Sequence, residues 1–334
     1  MPLDQSVVGW KRLCVPGRSA EPAVSADLIA AAIGDHPEPF RALPPVGYEA
    51  GVTAYRDAAG QITLDDLSKH YTDGLQFFHQ QFGPYLKESL TELTGGVWDL
   101  RDYVPYAAGS DVDFMTHLVS AVAAKSTVKL FPGDWFGFRV GVAQPKNISW
   151  DRDTAGALAC LCIPSVRNGH VTPEMLEFLQ RSKACLLNIN LFPTLHPVER
   201  KQIAQQLLPV LERSVISISF SRGFGLTGSQ LGVALVHRDH PMRRLYESQW
   251  NWLTYFFNKI PAKAYMKLDL TAVSRVDDSR RDCVSEWLTG NGLPVVETGS
   301  YYVKSFQVEG SLSPLLEGLH RDGLIRLCFK PPIS

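Results

Sequence analysis

The sequence predicts an α/β fold: a mostly parallel sheet sandwiched by helices, with a small α+β domain at the C-terminal end. Three observations predict it. From about residue 103 to residue 236, short apolar runs alternate with longer amphipathic segments, the pattern of strands and crossover helices that builds a parallel sheet. Some of the runs are apolar throughout, such as Ala157-Leu-Ala-Cys-Leu-Cys-Ile163, which reads as a strand buried on both faces. The length, 334 residues, suffices for one large domain and a smaller appended one.

Taken in order, residues 1–45 are rich in Pro, Ala and charge. They read as an N-terminal arm with one short helix near Ser25–Ile33, capped by Ser25. The large domain is expected over residues 46–240. Its residues 64–94 carry a long helical pattern (Leu67, Tyr71, Leu75, Phe78, Phe82, Tyr85, Leu86, Leu90, Leu93) closed by Gly95-Gly96. This face is a core face by default and a dimer surface as the second reading. Strands are then predicted at Tyr103–Ala107, Val128–Phe131, Arg139–Val142, Ala157–Ile163, Ala184–Asn188, Val215–Phe220 and Val233–Val236. Helices are predicted at Asp113–Ala124, Thr172–Ser182 (Thr172 as cap, Pro173 in the first turn) and Pro197–Leu211. Residues 241–334 read as a linking helix and a small α+β domain, with Asp277-Asp278 starting a helix where two acids suit its N-terminal dipole.

Composition narrows the function classes. A net charge of -1 gives no reason to expect nucleic acid. Hydrophobic content of 45% and charged content of 20% are those of an ordinary globular chain. No apolar run approaches the roughly 20 residues of a membrane span, so no membrane partner is expected. The first residues lack the basic and apolar regions of a signal peptide. The six cysteines are scattered and read as buried free thiols, which fits a reducing cytoplasm. The nine histidines form no paired ligand spacing, and no metal site is expected. No nucleophile elbow, P-loop or dinucleotide fingerprint is present.

The informative stretch is 217–232, Ser-Ile-Ser-Phe-Ser-Arg-Gly-Phe-Gly-Leu-Thr-Gly-Ser-Gln-Leu-Gly. It resembles the lysine loop of the class I/II aminotransferases, the fold type I enzymes that use pyridoxal phosphate (PLP). That family has Ser-x-Ser-Lys, a Gly-rich stretch and Gly-x-Arg-x-Gly. Here Arg222 stands where the Schiff-base lysine belongs and Gln230 where the phosphate-binding arginine belongs. A Schiff base needs a neutral amine, and a guanidinium stays protonated and only donates hydrogen bonds. Arg222 therefore either holds an anion through its planar fork or fills the vacated lysine space against a carboxylate.

Four further segments carry the resemblance. Gly109-Ser110-Asp111, between a strand and a helix, matches the turn that cradles the cofactor phosphate, where free N–H groups and a helix dipole attract an anion. Trp135 stands where an aromatic stacks on the pyridine ring. Leu187–Thr194 is similar to the Asn-Pro-x-Asn-Pro-Thr-Gly segment, and Asn190 takes its cofactor-contacting role only if the loop is two residues longer. Arg326 matches the C-terminal arginine that grips the substrate carboxylate in bidentate fashion. The family's strand with an acidic Asp-Glu-x-Tyr-like motif, whose aspartate pairs with the pyridinium nitrogen, has no counterpart that can be read between Glu212 and the loop.

The resemblance thus implies a divergent member lacking the Schiff-base lysine. Its expected activity is to bind or convert an amino-acid-like carboxylate without covalent PLP; no cofactor is expected, PLP being the alternative and then without a covalent lysine. The expected site comprises Arg222, Tyr301 and Tyr302 as catalytic groups and Arg326, Trp135 and Asn190 on the substrate. Gly109, Ser110, Asp111, Ser219 and Gln230 are expected on any cofactor. A PLP transferase with a non-covalent cofactor and a non-catalytic partner subunit stay open as alternatives. The resemblance also implies a role in amino-acid biosynthesis and a homodimer whose sites draw on both subunits.

Overall fold

The structure, a computed structural model, describes residues 21–42, 47–68, 71–140, 142–143, 145–220, 225–226 and 231–330. Its centre is a seven-stranded sheet in the order β2-β8-β7-β6-β5-β3-β4. The strands are β2 (Tyr103–Ala108), β3 (Val128–Leu130), β4 (Ile148–Ser149), β5 (Leu158–Cys162), β6 (Ala184–Asn188), β7 (Ser214–Ser219) and β8 (Gly232–His237). Neighbours run parallel except at β8, which is antiparallel to both β2 and β7. The predicted α/β class with a mostly parallel sheet is what the chain forms.

Apolar side chains on both faces explain why these runs become inner strands. Along β5, Ala159 and Leu161 point into one core, and Leu158, Cys160 and Cys162 into the other. The first core is covered by the helices Pro173–Gln180 and Pro197–Leu211 through Met175, Phe178, Ile203 and Leu207. The second is covered by the helix Asp111–Ala123 through Phe114 and Leu118. Burying a phenylalanine such as Phe114 contributes about 2–3 kcal/mol. Cys160, Cys162, Cys185 and Cys328 are buried free thiols, and burial pushes the first three well up from the ordinary thiol range.

A second sheet, β1-β9-β11-β10, is built from both ends of the described chain. Its strands are β1 (Ala23–Ser25), β9 (Val303–Glu309), β10 (His320–Arg321) and β11 (Leu324–Cys328). The N-terminal β1 pairs parallel with β9. The Ser25-capped helix follows over Ala26–Ile33, its first-turn N–H held by the Ser25 hydroxyl at 3.2 Å.

Several elements depart from the sequence expectations. The single helix expected over 64–94 is instead Leu64–Ser68, Tyr71–Phe77, a π-turn at Phe78–Phe82 and Gly83–Leu93. Gly83 explains the break, because a Cβ there would lie 2.9 Å from the Pro105 ring of β2. The strand expected at Arg139–Val142 is a 3-10 turn at Phe136–Arg139, and Ile148–Ser149 takes the edge position. The helix expected to start at Asp277 runs from Leu270 to Gly290 with Asp269 as its cap, so Asp277 lies inside it. Among the described residues, no helix is long and apolar enough to cross a membrane.

Candidate active site

The C-terminal ends of β5, β6 and β7 meet the N-terminus of the helix Asp111–Ala123, and the candidate site forms there. Cys162, Asn188 and Ser217 lie side by side in register across the three strands. Above them Ser110 stands at the helix N-cap: its N–H donates to Asp113 Oδ2 at 2.9 Å, and its carbonyl accepts from the Asp113 N–H at 3.3 Å. Asp111 follows at the first helical position with only 5% of its surface exposed. Its carboxylate turns to two amides: Asn188 donates to Oδ2 at 3.2 Å and Asn190 at 2.7 Å. Asn190 Oδ1 accepts the Ser219 N–H at 2.6 Å. One network therefore ties the helix start to the ends of β6 and β7.

Gly232 of β8 allows the helix start to sit this close. A Cβ at that position would lie 2.0 Å from the Asp111 nitrogen and 2.2 Å from the Ser110 carbonyl carbon. Only a residue without a side chain lets the strand touch the helix backbone there.

Trp135 stands over the network. A cavity of about 70 Å³ is lined by Trp135, Cys162, Pro164, Val166, Asn188, Asn190 and Leu191. Trp135 and Val166 also line a larger cavity of about 780 Å³, which Arg326 lines as well. Asp134 fixes the shared wall: it accepts from the Cys162 N–H at 2.8 Å, the Ser165 hydroxyl at 2.7 Å and the Val166 N–H at 2.9 Å. Full burial raises its pKa to about 6 in spite of those donors. The folded state thus holds this proton more tightly than the unfolded chain does. The stabilisation is complete below the ordinary carboxylate range and is lost as pH rises towards 6. The stability difference between Asp134→Asn and the parent chain, from urea unfolding at pH 4 through 7, is expected to shift by up to about 3 kcal/mol in the variant's favour. A flat difference would show that Asp134 titrates normally.

The sequence-predicted residues separate into three groups. Gly109, Ser110, Asp111, Asn190, Ser219 and Trp135 converge on the strand ends, and Arg326 faces the adjoining cavity. Tyr301 and Tyr302 are elsewhere, 2% and 0% exposed in the core. Tyr301 donates to Asp277 Oδ1 at 2.5 Å, the same oxygen that takes the Tyr48 hydroxyl, and Arg280 stacks on the Tyr48 ring. Arg222 and Gln230 lie outside the described residues.

The structure corrects the reading of the Asn-Pro-like segment. Seven strands are present, and β6 stands between β5 and β7, so no strand is missing. Residues 187–194 begin on β6, the strand directly before the 217–232 loop. The family order named above therefore gives β6 the place of the acidic strand, and the loop after β5, Ile163–Gly169, the place of the Asn-Pro segment. Asn188, at the end of β6, donates to the Asp111 carboxylate behind it. Two asparagines spaced by one residue matched the wrong motif, and only strand order separates the two registers. Asn188, Asp134 and Arg321, which line these cavities, were not singled out by the sequence reading. No sequence signal marked them.

The sheet order, the helix start against it and the aromatic at the strand ends define an aminotransferase-like fold. Solved structures similar to it include aminotransferases. An L,L-diaminopimelate aminotransferase from Chlamydomonas reinhardtii superposes with a TM-score of 0.61 at 12% identity, over 92% of this chain and 85% of that one. A histidinol-phosphate aminotransferase from Sinorhizobium meliloti, solved in complex with pyridoxal-5'-phosphate, gives 0.57 at 15% identity over 86% and 84%. A histidinol-phosphate aminotransferase from Clostridium acetobutylicum gives 0.56 at 10% identity over 87% and 93%. No family model matches the sequence, and no curated protein does. The expectation of no cofactor is overturned by these neighbours, because the Sinorhizobium enzyme carries PLP on the same fold.

The residues present fit such a group. Trp135 offers a flat apolar face, Asn188 and Asn190 offer amides backed by a carboxylate, and the helix start with Ser219 offers an anion a positive dipole end. The buried Ser217 hydroxyl, in the same row, has no hydrogen-bond partner among the described residues.

Proposed function

We propose that this aminotransferase-like protein binds PLP without a covalent lysine link and takes an amino-acid-like carboxylate in the cleft between Trp135 and Arg326. The observation that supports this reading is the convergence of Trp135, Asn188 and Asn190 on one cavity, with both amides bonded to Asp111 at the helix start and with Trp135 shared with the larger cavity that Arg326 lines. When bound, PLP supplies an electron sink for a carbanion at the substrate's α-carbon. The chain's own residues bind and orient. Trp135 would offer the ring an apolar face, the helix start and Ser219 would hold the phosphate, and Asn188 and Asn190, fixed by Asp111, would offer the ring their amides. The Arg222 side chain is by residue type a permanent cation. Arg326 grips the substrate carboxylate through its fork.

The absence of a lysine at position 222 sets the test. Purified protein titrated with PLP should bind it reversibly, and borohydride followed by mass spectrometry of the peptides should find no PLP fixed to any lysine. A borohydride-stable adduct on a lysine would overturn the non-covalent reading. Failure to bind PLP at all would overturn the cofactor assignment.

A further inference from the structure

The larger cavity holds more positive charge than one carboxylate needs. Three arginines line it, Arg41, Arg321 and Arg326. Arg41 is neutralised by Glu38 at 2.6 Å. Neither Arg321 nor Arg326 pairs with a carboxylate among the described residues. The Arg321 side chain donates to the carbonyl of His320 at 2.7 Å, and that of Arg326 to the carbonyl of Val166 at 2.9 Å. The two acids on the lining are committed elsewhere, Asp322 to Arg167 at 3.3 Å and Asp134 to the loop after β5. Strands β10 and β11 are hydrogen-bonded neighbours, so the two cations share one side of the cleft. Burial and then the charge of Arg326 lower the pKa of Arg321, as expected of like charges facing each other. The same cavity is lined by the aromatics Trp135, Trp150 and a Phe136 that is 69% exposed.

We propose that Arg321 is a second anion-binding arm of this cleft, and that its ligand is an aryl compound bearing two anionic groups, one held by Arg326 and one by Arg321. A guanidinium fork matches one carboxylate, so two unneutralised forks call for two negative charges. The aromatic wall calls for a flat body between them. The proposal rests on the reading of Arg326 as the carboxylate grip and adds the second charge and the ring.

Calorimetric titration of the full chain with three probes tests it. Isophthalate has a ring and two carboxylates, benzoate a ring and one, and succinate two carboxylates without a ring. Isophthalate is expected to bind at least about tenfold tighter than either of the others. Arg321→Ala and Arg321→Gln should bring isophthalate down about tenfold, to the level of benzoate, and leave benzoate unchanged. Arg326→Ala should weaken both aryl probes. If the Arg321 variants weaken benzoate as much as isophthalate, or weaken neither, the second arm is wrong. The Arg326 reading survives that result as long as Arg326→Ala still weakens benzoate. If Arg326→Ala leaves benzoate unchanged, or no probe binds at millimolar concentration, the reading of the cleft fails and this proposal with it.

Discussion

Gly232→Ala is expected to destabilise the protein by about 3–5 kcal/mol in urea unfolding, at the upper end of what single substitutions do. The added methyl would meet backbone atoms of Ser110 and Asp111, at 2.2 and 2.0 Å, rather than a side chain that could swing away. Either β8 leaves β7 and β2 or the helix start moves off the sheet, because β8 pairs with both strands along its length. The second route also breaks the bonds from Asn188 and Asn190 to Asp111, so PLP affinity should fall with stability. Gly290→Ala is the matched control. It lies at the end of a helix where a methyl meets nothing within 4 Å, and should be neutral or slightly stabilising. Equal melting temperatures for the two variants would refute the close approach of β8 to the helix start.

Arg326→Ala should weaken an amino-acid-like carboxylate by about 100-fold, ~3 kcal/mol, the scale of a charge-assisted bidentate pair removed from a partly buried site. Arg326→Lys should recover only part of that loss, because an ammonium keeps the charge and loses the fork. The Arg326 side chain also donates to the Val166 carbonyl, so a small loss of stability is expected alongside. Thermal unfolding of the unliganded variants separates the two effects. An unchanged carboxylate affinity in Arg326→Ala would make this arginine a structural residue of the loop after β5.

Much of the fold was legible in the sequence because inner strands and covering helices leave strong local patterns. The apolar runs at Ala157–Ile163 and Ala184–Asn188 and the Thr172 cap correspond to β5, β6 and the helix Pro173–Gln180. The parts that went unread depend on contacts distant in sequence. The break at Gly83 is set by Pro105, and the place of Asp277 by tyrosines at positions 48 and 301. The same holds for the site. The positions of Gly109-Ser110-Asp111 at a helix start and of Trp135 at a cavity wall were legible because a turn before a helix and an aromatic after a strand are local signals. Asn188 was hidden because its meaning depends on which strand carries it, and strand order is not written in one segment. Arg321 was hidden because its place beside Arg326 depends on the pairing of β10 with β11.

A crystal structure of the protein soaked with PLP tests the central claim most directly. The account predicts density for the pyridine ring against Trp135, its phosphate at the Ser110-capped helix start and no bond from the ring to any lysine. A ring joined to a lysine side chain, or a cleft beside Trp135 without PLP at saturating concentration, would contradict it.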